Sequence, residues 1–166
     1  MKMDGTNAYV RVTDDPEADS QPVILGVDAV SGNVTVGWVR NGTEGRKQVV
    51  DPATGLLIGP QTVFANNVMP GIRTMSVNST YTHLAYMKNV GGVSHIVVVP
   101  LAGGAEVDLG GGSDPYWSLD GSNLIMFNDG VALFAMNPDG TGKVSVPIPS
   151  NLVGPIAKVV FGPAGY

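Results

Sequence analysis

The feature that most constrains this chain is that it repeats itself. Met3-Asp4-Gly5-Thr6-Asn7-Ala8-Tyr9-Val10 and Met136-Asn137-Pro138-Asp139-Gly140-Thr141-Gly142-Lys143-Val144 both read as an Asp-Gly-Thr turn followed by an alternating strand. Asp4 and Asp139 lie 135 residues apart, three periods of 45. A proline at the start of an apolar strand recurs at Pro22, Pro70, Pro115 and Pro155, with spacings of 48, 45 and 40. The turn after that strand is clearest in Asp114-Pro115-Tyr116-Trp117-Ser118-Leu119-Asp120-Gly121, and Val30-Ser31-Gly32-Asn33 and Asn78-Ser79-Thr80 hold the corresponding places. A period of 40–48 residues marks a repeat architecture, in which each unit is too small to bury its own apolar face.

Between the markers, apolar residues alternate with period two or form short continuous runs, the pattern of β-strands. Strands are expected at 8–13, 21–30, 34–40, 45–52, 56–65, 71–77, 83–89, 94–101, 105–109, 115–119, 123–128, 132–137, 143–148 and 156–161. The 23 glycines and 12 prolines among 166 residues break helices and supply turns, so the fold class is all-β. Four antiparallel strands per period predict β-propeller blades. The expectation is a propeller fragment or partial propeller. It has three complete four-stranded blades, near 21–65, 71–109 and 115–148, and one extra strand at each end, 8–13 and 156–161. Fewer than four blades do not close a ring at the usual angles. The chain is therefore expected to belong to a longer propeller, to complete a ring as a homo-oligomer, or to assemble its two outlying strands into an incomplete blade.

The charge balance narrows the partners. Nine Lys and Arg against fourteen Asp and Glu give a net charge of -5, without the basic footprint that nucleic acid requires. No apolar run is long enough for a membrane span. There is no cysteine, so thiol catalysis, disulfides and zinc thiolates are excluded.

Candidate chemistry is sparse. Asp14, Asp15, Glu17 and Asp19 put four carboxylates within six residues, a candidate calcium site. They lack the glycine and the ligand alternation of a calcium loop, and a solvated turn is the plainer reading. His83 and His95 read as hairpin neighbours without an evident carboxylate partner, which does not define a metal site. Gly103-Gly104 and Gly110-Gly111-Gly112 precede no helix and read as turns rather than a phosphate cradle. No Gly-x-Ser-x-Gly elbow occurs, and no catalytic residue is assigned. Trp38, Tyr116 and Trp117 are candidate sugar-stacking rings wherever they reach the surface. Asn33-Val34-Thr35, Asn41-Gly42-Thr43 and Asn78-Ser79-Thr80 match the glycosylation sequon.

The segment Ser113-Asp114-Pro115-Tyr116-Trp117-Ser118-Leu119-Asp120-Gly121-Ser122-Asn123-Leu124-Ile125-Met126-Phe127 resembles the repeat of TolB-like β-propellers, with Leu119 where that repeat usually has proline. Val131 to Gly142 resembles the third strand and Asp-Gly turn of the same repeat, and Lys2 to Asn7 the end of another copy. Asp19-Ser20-Gln21-Pro22 and Asn67-Val68-Met69-Pro70 keep little more than the proline. The motif residues Pro22, Pro70, Asp114, Pro115, Trp117, Asp120, Gly121, Asp139 and Gly140 all read as structural. Proline sets the strand entry, Trp117 wedges between blades, and Asp-Gly supplies the turn. The resemblance implies a non-enzymatic module that binds a protein or peptide in the bacterial periplasm or outside the cell. The alternatives are the gating domain of a prolyl-oligopeptidase-type peptidase, an oligogalacturonate-lyase-type enzyme, and a carbohydrate-binding propeller. No cofactor is implied apart from the candidate calcium.

Overall fold

A computed structural model describes residues 12–13, 16–69, 75–118 and 120–147. All of its regular structure is β, in three four-stranded antiparallel sheets whose strands neighbour one another in chain order. The first sheet holds β1 (Asp19–Val27), β2 (Val34–Arg40), β3 (Glu44–Val50) and β4 (Leu57–Asn66). The second holds β5 (Met75–Val77), β6 (His83–Val90), β7 (Val93–Pro100) and β8 (Val107–Gly111). The third holds β9 (Ser113–Trp117), β10 (Ile125–Asn128), β11 (Leu133–Met136) and β12 (Val144–Val146). These twelve strands overlap the twelve inner strands read from hydrophobic alternation. The outlying strands at 8–13 and 156–161 lie outside the described residues, apart from 12–13, which carry no strand.

The chain divides into two compact units, residues 1–66 and 67–166. In the first unit the same turn closes two hairpins. Asp28-Ala29-Val30-Ser31-Gly32 links β1 to β2, and Asp51-Pro52-Ala53-Thr54-Gly55 links β3 to β4. Gly32 N–H donates to the Asp28 carbonyl at 2.8 Å and Gly55 N–H to the Asp51 carbonyl at 2.7 Å. Both glycines have positive φ, 73° and 77°, which glycine adopts without a Cβ clash. Each Asp carboxylate accepts from the hydroxyl residue of its turn, Ser31 N–H at 2.7 Å and Thr54 Oγ1 at 2.6 Å.

In the second unit two sheets pack face to face. Ala85, Met87, Ile96, Val98 and Leu109 on one side meet Trp117, Ile125, Phe127 and Met136 on the other, all buried. Alternation puts every second residue of β6 and β7 on this face, as a half-buried strand requires. Trp117 ties the sheets together. Its indole N–H donates to the Ser76 carbonyl at 2.8 Å, and its backbone N–H to Ser76 Oγ at 3.2 Å. Alongside, Asn78 Nδ2 donates to Asn123 Oδ1 at 3.2 Å.

Neither Pro22 nor Pro115 is at a strand start, and Pro155 lies outside the described residues. In the first sheet Ser20 pairs with Val39 and Val23 with Gly37, so Gln21 and Pro22 together oppose Trp38. In the third, Ser113 pairs with Asn128 and Tyr116 with Met126, so Asp114 and Pro115 together oppose Phe127. Both prolines therefore sit in a β-bulge inside the strand. A bulge leaves one residue outside the hydrogen-bond ladder, so the missing proline N–H costs nothing there. The preceding residues, Gln21 (φ 55°) and Asp114 (φ 52°), are left-handed. Pro70 lies outside the described residues.

Two substitutions test this packing. A Cβ on Gly112 would lie 2.7 Å from Phe127 Cδ2 and 3.1 Å from Ile96 Cγ1. Gly112→Ala is expected to destabilise the second unit by about 1–3 kcal/mol through overpacking, read by urea denaturation. Trp117→Ala is expected to cost about 3–5 kcal/mol. Unchanged unfolding midpoints for both would show that the two sheets are not held by this interface.

Candidate functional site

The densest cluster of ionisable groups lies on the other face of the second sheet. Lys88 of β6 pairs directly with His95 of β7, Tyr86 with Val97, and Val97 with Asp108 of β8. Residues opposite one another share a face, so Tyr86, Lys88, His95 and Asp108 stand in one row. Glu106 approaches from just before β8, where it accepts a hydrogen bond from the Tyr86 hydroxyl and pairs with Lys88 Nζ. His95 Nδ1 lies 2.9 and 3.0 Å from the two Asp108 carboxylate oxygens. Asp108 also accepts Gly110 N–H at 2.8 Å.

These contacts decide the protonation states. Burial works to raise the Glu106 carboxyl, but the hydrogen bonds from Lys88 and Tyr86 outweigh it and hold it below the usual carboxylate range. Asp108 is likewise lowered, because Gly110 N–H and His95 outweigh its burial. Burial, reinforced by the Glu106 carboxylate, pushes the Tyr86 phenol upward. The row thus presents ionised acids already matched to donors and a phenol that keeps its proton.

The pairing of His95 with Asp108 corrects the reading of the two histidines. They are not opposite each other: His83 faces Pro100 and His95 faces Lys88 in the β6–β7 hairpin. His83 instead bonds Thr82 Oγ1 at 3.0 Å, and its ring lies 6.3 Å from that of Trp117. The carboxylate partner of His95 was hidden from sequence because a register shift between His95 and Val97 brings Asp108 diagonally within reach.

The remaining residues singled out from sequence fall into structural places. Asp14 and Asp15 lie outside the described residues. Glu17 and Asp19 both face the buried Arg40, whose Nε is 3.2 Å from Glu17 Oε2 and 3.1 Å from Asp19 Oδ1. Among the described residues no three His, Asp or Glu side chains come together to hold a metal ion. Asp114 Oδ2 accepts Asn128 Nδ2 at 3.1 Å and fastens the bulge. Asp120 Oδ1 accepts Ser122 N–H at 2.9 Å, and Asp139 Oδ1 accepts Thr141 N–H at 2.9 Å, each closing its own turn. Gly121 (φ 81°) and Gly140 (φ 86°) supply the positive φ of those turns. Trp38 and Trp117 are 4% and 1% exposed, so neither presents a ring face to a sugar, and Tyr116 is half-buried.

The carboxylates set the acid limit of the fold. Asp19, Asp28, Glu106, Asp108, Asp120, Asp129 and Asp139 are all lowered in the folded chain. A lowered folded value stabilises above the unfolded value and loses that stabilisation as pH falls through the folded one. The melting temperature is expected to hold from neutrality to about pH 5 and to drop steeply below about pH 4. Glu106→Gln should flatten part of that drop, and a melting temperature insensitive to acid would contradict the assignment. No family model matches the chain, and no curated protein matches it.

Proposed function

We propose that the three sheets are consecutive blades of a partial β-propeller of the TolB-like type, and that the chain is a non-enzymatic module binding a protein or peptide. The observation that carries this reading is the recurrence of one device in separate sheets. A Ser-x-Pro bulge, Ser20-Gln21-Pro22 and Ser113-Asp114-Pro115, stands in the first strand of its sheet opposite an aromatic of the second, Trp38 and Phe127. The docking of the third sheet on the second through Trp117 and Ser76 supports it further, because blades stack face to face with their first strands side by side. Rims built from short rigid turns suit the capture of a partner surface. Ring completion by further blades or by a second copy, and a bacterial envelope setting, belong to the same proposal.

The non-enzymatic reading is favoured over a lyase or peptidase because Tyr86, Lys88, Glu106 and Asp108 of the row on the second sheet already bond one another or their own strand. The carbohydrate reading loses its two tryptophans to the core. An experimental density map of the purified chain tests the architecture. Expected are sheets radiating from a common axis with β1, β5 and β9 innermost; a two-sheet sandwich enclosing all twelve strands would overturn it. For the activity, incubation with polygalacturonate and with peptide substrates, with and without added divalent ions, is expected to give no turnover. Turnover abolished by chelation would move the chain to the lyase reading.

A further inference from the structure

We infer that Asn41 is a site of spontaneous covalent modification: its side chain cyclises onto the backbone of Gly42, placing a new negative charge in the β2–β3 turn. Asn41-Gly42 is the one Asn-Gly pair in the sequence. Asn41 is exposed, and among the described residues its side chain has no hydrogen-bond partner. Its neighbour Gly42 carries no side chain to shield the attacking nitrogen. The turn is held by Thr43 N–H donating to the Arg40 carbonyl at 3.1 Å, and among the described residues Gly42 N–H donates to nothing. Asn41 (φ 51°) and Gly42 (φ 71°) are both left-handed, a conformation an asparagine leaves at little cost.

In the reaction the Gly42 nitrogen attacks Asn41 Cγ. The N–Cγ bond forms, the Cγ–Nδ2 bond breaks, and the proton from Gly42 N leaves with Nδ2 as ammonia. Water then opens the five-membered imide at either carbonyl, leaving aspartate or isoaspartate in place of asparagine.

Among the described residues, other candidates for this chemistry are blocked. Asp120-Gly121, Asp129-Gly130 and Asp139-Gly140 have the right following residue, but each carboxylate is held by N–H donors of its own turn. These are Ser122 at 2.9 Å, Val131 and Ala132 at 3.0 and 2.9 Å, and Thr141 at 2.9 Å. The same hydrogen bonds keep the three acids ionised, and a carboxylate is a poor electrophile. Asn33 and Asn89 are followed by Val34 and Val90, whose branched side chains crowd the nitrogen. Asn78 is buried, its Nδ2 bonded to Thr80, Thr82 and Asn123.

The test is to hold the intact purified chain in mildly alkaline buffer, digest it with trypsin, and follow the peptide from Asn41 to Arg46 by mass. It is expected to gain one mass unit and to split into two chromatographic species. That gain should be roughly tenfold or more faster than at the peptides holding Asn33 or Asn89, as the glycine-against-valine contrast requires. Asn41→Gln, which would need a six-membered ring, is expected to abolish the change, with at most a small drop in melting temperature from a longer side chain at a left-handed position. In urea the Asp-Gly pairs at Asp120, Asp129 and Asp139 should isomerise while in the native chain they do not. Native Asn41 that keeps its mass while the urea-treated chain converts would overturn the inference, as would earlier conversion at any other asparagine.

Discussion

The second unit depends on burying one face of a four-stranded meander that cannot bury it alone. A single twisted sheet of four short strands leaves one apolar side in water, and the free energy to order it comes from a second sheet. Trp117 is the largest side chain in that contact and is almost wholly buried. Its ring supplies area, and its indole N–H, which would otherwise be stranded in the core, ends on the Ser76 carbonyl. The hydrogen bond sets the position of the third sheet on the second, where area alone would leave it free to slide. Gly112 completes the fit by leaving room for Phe127 and Ile96.

The bulge is the second device on which the repeat rests. Placing two residues against one turns the strand and gives proline a position where no N–H is needed. The cost is a left-handed residue before it, more easily carried by Asp114 than by Gln21, since a short polar side chain tolerates that region. Asp114 also bonds Asn128 across the bulge. The third sheet therefore holds the more completely bonded form of the bulge.

Among the described residues, five aspartates serve turns. Asp28, Asp51, Asp120, Asp129 and Asp139 cap the backbone N–H groups of their own turns. Glu17 and Asp19 face Arg40, Glu106 serves Lys88 and Tyr86, and Asp108 serves His95 and Gly110.

Much of this was legible in the residues. Strand positions followed from alternation, because a pleated strand with one buried face can be written in few other ways, and turns followed from Asp-Gly and Asn-Gly pairs. Trp117 is buried against the second sheet, and Asp120 and Asp139 each close their own turn. Hidden were the bulge that moves Pro22 and Pro115 inside their strands, the burial of Trp38, and the hydrogen bond between His95 and Asp108. Each depends on register between strands, and one extra residue in one strand displaces every later pairing without leaving a mark in the local pattern. Sequence determined the alphabet of strands and turns, since those are local conformational preferences. Which side chains meet across them was decided only by tertiary structure, because pairing and packing join residues that are distant in the chain.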